Sequence, residues 1–183
     1  MSSSAIIRLA VADDEAALRA LIPRSARALS AGFYSEEQIE AAVEHIFGVD
    51  SMLIRDGTYM VAALGDRMCG CGGWSRRRTL FGGDQHKSDE DPLLDPTVDA
   101  ARIRAFFVAP ECARQGVGRL LMRACANAAY ASGFRQLELM ATLPGVPLYE
   151  SFGFTAVENV DEATPSGVRI PFIRMHRALD AAI

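Results

Sequence analysis

A chain of 183 residues, half of them hydrophobic and 23% charged, can bury one sizeable core and has an ordinary globular profile. Its net charge of −4 excludes a generally basic nucleic-acid binder, and no apolar run reaches membrane-spanning length. The four cysteines show no metal-ligand spacing and the N-terminus no charged-then-apolar leader, which points to a reduced cytoplasmic protein with no metal.

Residues 5–11 read as a first strand. Asp13 caps the helix that follows, Asp14 and Glu15 suit its first turn, and Leu18, Leu21 and Ile22 form its apolar face. Pro23 lacks a backbone donor and is expected to kink or split that helix. Ser35-Glu-Glu-Gln38 is a capping box. It opens a helix in which Ile39, Ala42, Val43, Ile46 and Phe47 recur at helical spacing, with His45 on the outer face. Residues 52–54 read as a short strand. Residues 59–64 and 68–75 flank Gly65-Asp66 as an antiparallel hairpin. Within it, Gly70, Gly72 and Gly73 imply a bulge or the close approach of a backbone or ligand, and Trp74 belongs to the core or a pocket wall.

Residues 79–99 hold Gly82-Gly83, Pro92 and Pro96 and little apolar periodicity, the mark of a long functional or mobile loop. Residues 102–108 are the next strand. The ARQGVG loop at 113–118 then leads into a helix whose Val117, Leu120, Leu121, Ala124, Cys125, Ala128 and Ala129 mark a buried face, closed by Gly133. Residues 136–140 form a strand, Pro144 opens a short helix with Thr142 or Leu143 at its cap, and 155–160 with 168–177 make a final hairpin. Strands and helices alternating in this order give a mixed α/β sheet with helices on both faces.

Charge is unevenly spread. Residues 79–99 carry six acids and one lysine, while 102–135 carry six arginines and one glutamate. An acidic loop before a basic strand–helix unit suggests an anionic ligand at the second and a cationic one near the first. Glycines at a helix start let an anion reach unpaired N–H groups, although a GxG there reads equally well as a tight strand–helix turn.

FFVAPECARQGVGRLL, followed some thirty residues on by LELMATLPGVPLYESFGF, resembles the GNAT superfamily of N-acetyltransferases. The first matches the acetyl-CoA signature [QR]-x-x-G-x-[GA], and the second the ending in which a Tyr precedes Gly-Phe. The resemblance implies an α/β GNAT fold. Its sheet is mixed and mostly antiparallel, with six to seven strands, helices on both faces and a V-shaped splay between strands four and five. It covers a single domain at 4–180 with a loop insertion at 79–99. It implies acetyl-CoA as acyl donor and no metal. Backbone groups of Phe106, Phe107 and Val108 would take the pantetheine arm, and the loop amides of Arg114, Gln115, Gly116, Val117, Gly118 and Arg119 the pyrophosphate. Tyr149 would be the general acid to the leaving thiolate, and the Val108 N–H would hold the oxyanion. Ala113 stands where Gln or Arg is usual and Thr142 where Asn is common; Thr142 still offers a hydroxyl toward the cofactor.

The implied activity is transfer of an acetyl group to a primary amine. The acidic loop favours a small cationic acceptor. Candidate bases are Glu138, His86, Asp84 and the Asp89-Glu90-Asp91 run, while Glu111 reads equally well as a solvated loop residue. The alternatives are a protein or peptide N-acetyltransferase and a catalytically silent CoA-binding module. The partners expected are acetyl-CoA and the amine, with neither nucleic acid nor membrane, and a homodimer through the last hairpin is compatible with the sequence.

Overall fold

The structure is a computed structural model that describes residues 5–87, 91–181 and 183. Across these residues one sheet contains β1 (Ile6–Leu9), β2 (Tyr59–Leu64), β3 (Arg67–Ser75), β4 (Ala101–Val108), β5 (Gln136–Ala141), β6 (Thr155–Ala163) and β7 (Arg169–Ala178), in the order β1-β2-β3-β4-β5-β7-β6. β4 and β5 run parallel and the other neighbouring pairs antiparallel. The helices are α1 (Glu15–Ser30), α2 (Glu36–His45), α3 (Ser51–Arg55), α4 (Val117–Ala131) and α5 (Val146–Glu150). They cover both faces. A Cβ placed on Gly73 would meet Leu53 of α3 at 2.7 Å, and one on Gly70 would meet Val117 of α4 at 3.0 Å; side chains three apart on a strand point oppositely. Among the described residues no helix is long and apolar enough to cross a membrane.

Local chemistry explains where the elements begin. Asp14, rather than Asp13, closes the entry to α1: its carboxylate accepts the Val11 N–H at 2.8 Å and pairs with Arg8 at 2.7 Å. α1 then runs unbroken through Pro23, because a single missing N–H is tolerated where Leu18, Leu21 and Ile22 bury the helix against the sheet. The capping box is present in both directions, Ser35 Oγ accepting from Gln38 N at 3.2 Å and Gln38 Oε1 from Ser35 N at 3.0 Å. Residues 52–54 are helical instead of extended. Buried Asp50 accepts the Leu53 N–H at 3.2 Å, and this cap overrides the β preference of a short apolar run. The last hairpin is longer than the sequence suggests, turning at Thr164, whose N–H donates to Val168 O at 2.9 Å.

The core lies between the sheet and the long helices α1 and α4, with Leu18, Ile22, Tyr59, Leu121, Met122, Leu137 and Met175 fully buried. Each such aliphatic side chain contributes about 1.5–3 kcal/mol by leaving water. Residues 91–94 return to the start of the 79–99 segment: Arg78 N donates to Pro92 O at 3.0 Å, Leu94 N to Arg76 O at 2.7 Å, and Thr79 N to the Asp91 carboxylate at 2.7 Å.

The feature that shapes the site is an irregularity in β4. Cys71 pairs with Phe107 and Gly73 with Arg104, so Ala105 and Phe106 together face the single residue Gly72. This is a β-bulge, and Ala105 takes a left-handed φ of 55° within it. β4 pairs with β5 only from Ala101 to Ile103. Past the bulge β4 stays with β3 through Val108, while β5 stays with β7 through Ala141. The two parallel strands part there, as the family resemblance leads one to expect.

Candidate functional site

A cleft of about 660 Å³ opens where β4 and β5 part. Its size is that of a small-molecule site. Phe106, Phe107 and Val108 line it from β4, Thr142 from the end of β5, Tyr149 from α5, and Arg114, Gly116, Val117, Gly118 and Arg119 from the loop into α4. Of the residues singled out in the sequence, Gln115 lies outside the lining; its side-chain amide donates to Glu111 O at 2.8 Å.

The loop before α4 is built to present N–H groups. Arg114 and Gly116 take φ of 63° and 86°, which turns the chain back on itself, and the first helical bond runs from Leu120 N to Gly116 O at 3.0 Å. The amides of 114–119 therefore precede any helical acceptor and have no partner among the described residues. Gly118 is tightly placed: a Cβ there would lie 3.1 Å from Leu148. Arg119 is fixed by Ser151 Oγ at 3.1 Å and by the Phe152 ring 5.1 Å beneath it, while Arg114 stays exposed. Such a concave row of donors at a positive helix end fits a phosphate group.

Tyr149 is nearly buried between aromatic edges, its ring centre 6.4 Å from Phe106 and 6.0 Å from Phe154. Burial pushes the phenol's pKa well above its ordinary value, so it holds its proton at neutral pH. The Val108 N–H, expected to be free for an oxyanion, donates to Ser25 Oγ at 3.2 Å. Ser25 comes from α1 and is 2% exposed, and it too lines the cleft. The sequence shows it only as a polar residue in an otherwise apolar helical face.

The end of the cleft away from the phosphate loop is aromatic. Phe47, Phe81, Phe107 and Phe172 line it with Ile46 and Met140. Among the described residues one charged group reaches it, Arg104, which is 4% exposed. Its guanidinium lies 2.8 Å from buried Asp50 and donates to the Gly82 and Thr79 carbonyls at 2.7 and 3.2 Å. Lys87 pairs with the other Asp50 oxygen. Burial lowers the Arg104 pKa from its ordinary value, and Asp50 acts to raise it.

The described acids of 79–99 serve the local fold and do not line the cleft. Asp84 accepts the Ser51 N–H at 3.1 Å, Asp91 the Thr79 N–H, and Asp95 and Asp99 serve turn bonds of their own. Asp89 and Glu90 fall outside the described residues. The other candidate bases are also engaged elsewhere. Glu138 sits between Arg102 and Arg174, Glu111 pairs with Arg24 at 2.9 Å, and His86 stacks 4.8 Å behind Phe81, its Nε2 3.8 Å from Glu162. No described carboxylate or histidine lines the cleft. A cationic acceptor, expected from the loop's composition, thus finds no described counter-charge there.

Comparison with protein families matches residues 55–156 to a model described as an acetyltransferase (GNAT) domain. Among solved structures, the chain is similar to a GCN5-related N-acetyltransferase from Rhodopseudomonas palustris (22% identity, TM-score 0.72, 98% of each chain covered). It is also similar to the paia N-acetyltransferase from Thermoplasma acidophilum in complex with coenzyme A (16% identity, TM-score 0.64, 96% of this chain and 99% of that one). A third is the ribosomal-protein-S18-alanine N-acetyltransferase from Escherichia coli (18% identity, TM-score 0.59, 98% and 96%). A comparison with curated proteins gives no match.

Proposed function

The chain belongs to the GNAT acetyltransferase family, and from that premise we propose that it moves an acetyl group from acetyl-CoA to a primary amine. The observation that carries this reading is the row of unpartnered amides at 114–119 opening into the same cleft as Tyr149 and the parted strands. A similar structure is described in complex with coenzyme A, which supports the donor.

The 114–119 amides and the exposed Arg114 take the pyrophosphate. The pantetheine arm lies along the free edge of β4 at Phe106–Val108, where β5 no longer pairs. This brings the thioester to the opening of the V. There its carbonyl oxygen competes with Ser25 Oγ for the Val108 N–H, the donor that steadies the oxyanion as charge develops. The amine attacks the carbonyl carbon directly, a C–N bond forms and the C–S bond breaks. Tyr149, kept protonated by burial, gives its proton to the departing sulfur.

The test is release of free CoA from acetyl-CoA across a panel of amines, with two control variants. Tyr149→Phe should abolish most turnover while acetyl-CoA still binds. Gly118→Trp should prevent acetyl-CoA binding, because even a Cβ crowds Leu148. Undiminished acetyl-CoA affinity in Gly118→Trp contradicts the placement of the phosphates.

A further inference from the structure

We propose that the acceptor is an arylamine, a primary amine carried directly on an aromatic ring. The proposal rests on the acetyl-transfer reading above and names the class of molecule that fills the other half of the cleft.

The first observation is the wall of that half. Phe107, Phe47, Phe172 and Phe81 form a continuous chain of rings with centres 5.5, 6.3 and 5.7 Å apart, edge-on or tilted. Two strands, a turn and a loop far apart in sequence bring them together: β4, β7, the turn after α2 and the loop residue Phe81. Phe47, Phe81 and Phe107 are each part-exposed and line the cleft. Aromatic edges and the flexible thioether of Met140 are complementary to the face of a further ring.

The second observation is charge. Among the described residues Arg104 is the charged group at this end; Asp50 offsets its charge and two backbone carbonyls accept from its terminal nitrogens, while its buried Nε keeps no described partner. A polycation entering here sheds its hydration beside a guanidinium, with no described carboxylate to replace the lost water. An aromatic wall also suits a quaternary ammonium. Such a nitrogen has no proton to lose and cannot be acetylated.

The third is the want of a base in the described lining. The described acids and histidines that the sequence offers are tied elsewhere. An alkylamine with a pKa of about 10 is neutral in roughly one molecule per thousand at pH 7, so it needs a base. A nitrogen whose lone pair is delocalised into a ring is neutral there without one. The step then balances within the cleft. The nitrogen bonds the carbonyl carbon and the C–S bond breaks. The Tyr149 proton passes to sulfur, and the proton shed by nitrogen returns to the Tyr149 oxygen through solvent. One proton moves from nitrogen to sulfur overall.

The experiment uses the full chain with acetyl-CoA and four probes: p-toluidine, 2-phenylethylamine, spermidine and a peptide beginning with alanine. CoA release is followed from about pH 6 to about pH 9, and acetyl-CoA binding is measured separately by calorimetry. The expected kcat/KM for p-toluidine exceeds that for spermidine on the order of a hundredfold and stays flat with pH. That for 2-phenylethylamine rises about tenfold per pH unit as the neutral amine accumulates. Phe81→Glu, which puts a carboxylate on the part-exposed loop side of the recess, should lower turnover of p-toluidine and raise that of spermidine. A preference for spermidine or the peptide overturns the arylamine assignment and leaves acetyl transfer standing. Tight acetyl-CoA binding with all four amines inert also overturns it. Loss of acetyl-CoA binding itself is the separate result that brings down the underlying reading.

Discussion

The ring of Phe106 lies directly across Gly72: a Cβ on Gly72 would come within 2.6 Å of it. The two face each other across the β4 bulge, where Gly72 opposes two residues. Gly72→Ala therefore forces the Phe106 ring out of its place beside Tyr149. We expect a loss of about 1–3 kcal/mol in unfolding free energy from this overpacking. Acetyl-CoA KM should rise while turnover at saturation changes less. Chemical denaturation and steady-state kinetics measure the two effects side by side.

Ser25→Ala separates stability from affinity. Ser25 Oγ is the acceptor of the Val108 N–H in the free protein. Removing it takes the partner from a part-buried donor that faces the cleft, at a cost of about 0.5–1.5 kcal/mol. The same N–H is then open to the thioester carbonyl without competition, so acetyl-CoA should bind severalfold more tightly to a less stable protein. Calorimetry together with thermal unfolding reads both. Weaker acetyl-CoA binding would mean that Ser25 itself holds the ligand.

Tyr149→Phe should lower kcat on the order of a hundredfold with acetyl-CoA KM unchanged. The fold should be nearly indifferent, because the ring contacts with Phe106 and Phe154 survive the change. The raised pKa adds a pH signature. A phenol held protonated by burial keeps donating on the alkaline side, so the wild-type kcat should remain level past pH 10 with an arylamine acceptor. A descending limb below that pH would assign the donor to another group.

The 79–99 segment is anchored by an acid whose pKa makes the anchor pH-dependent. The Arg77 guanidinium donates to Asp56 at 2.7 and 2.9 Å and holds its carboxyl below the usual carboxylate range. The unfolded chain has the ordinary value of about 3.9. The pair thus stabilises the fold fully above about pH 4, and that contribution is lost as pH falls through the lower folded value. Asp56→Asn should unfold earlier than wild type at pH 7, and the gap should close as both are acidified. A melting-temperature series from pH 7 to pH 2 provides the comparison.

Local patterns carried much of this fold. The hairpin around Gly65-Asp66, the Ser35 box and the apolar stripe of α4 are each written within a dozen residues, and the structure has them in place. The glycines of β3 imply a bulge or a close approach; β4 bulges opposite Gly72, and a Cβ on Gly70 would meet the Phe107 backbone oxygen at 3.0 Å. What local pattern misses is partnership at a distance. Residues 52–54 are apolar and too few for periodicity to distinguish strand from helix; buried Asp50, itself held by Arg104 far along the chain, decides for helix. The described acids of 79–99 look like a surface for cations until their backbone partners are seen. The aromatic recess was invisible for the same reason, since Phe47, Phe81 and Phe172 belong to three unrelated segments and only the sheet order brings them together.

The extra residue in β4 also fixes a parity. Pairing of Gly73 with Arg104 and of Cys71 with Phe107 sets Arg104 and Phe107 on one side of the sheet, although they are an odd number of positions apart. Phe106 is thereby free to lie over Gly72 on the opposite side. Flattening the bulge, so that Ala105 pairs regularly with Gly72 and every later residue moves one position along β3, would exchange the two sides from that point on. Phe106 would be carried toward Phe47 and Phe107 toward Gly72. One residue of β4, with no functional group of its own, thus assigns each phenylalanine to its half of the cleft.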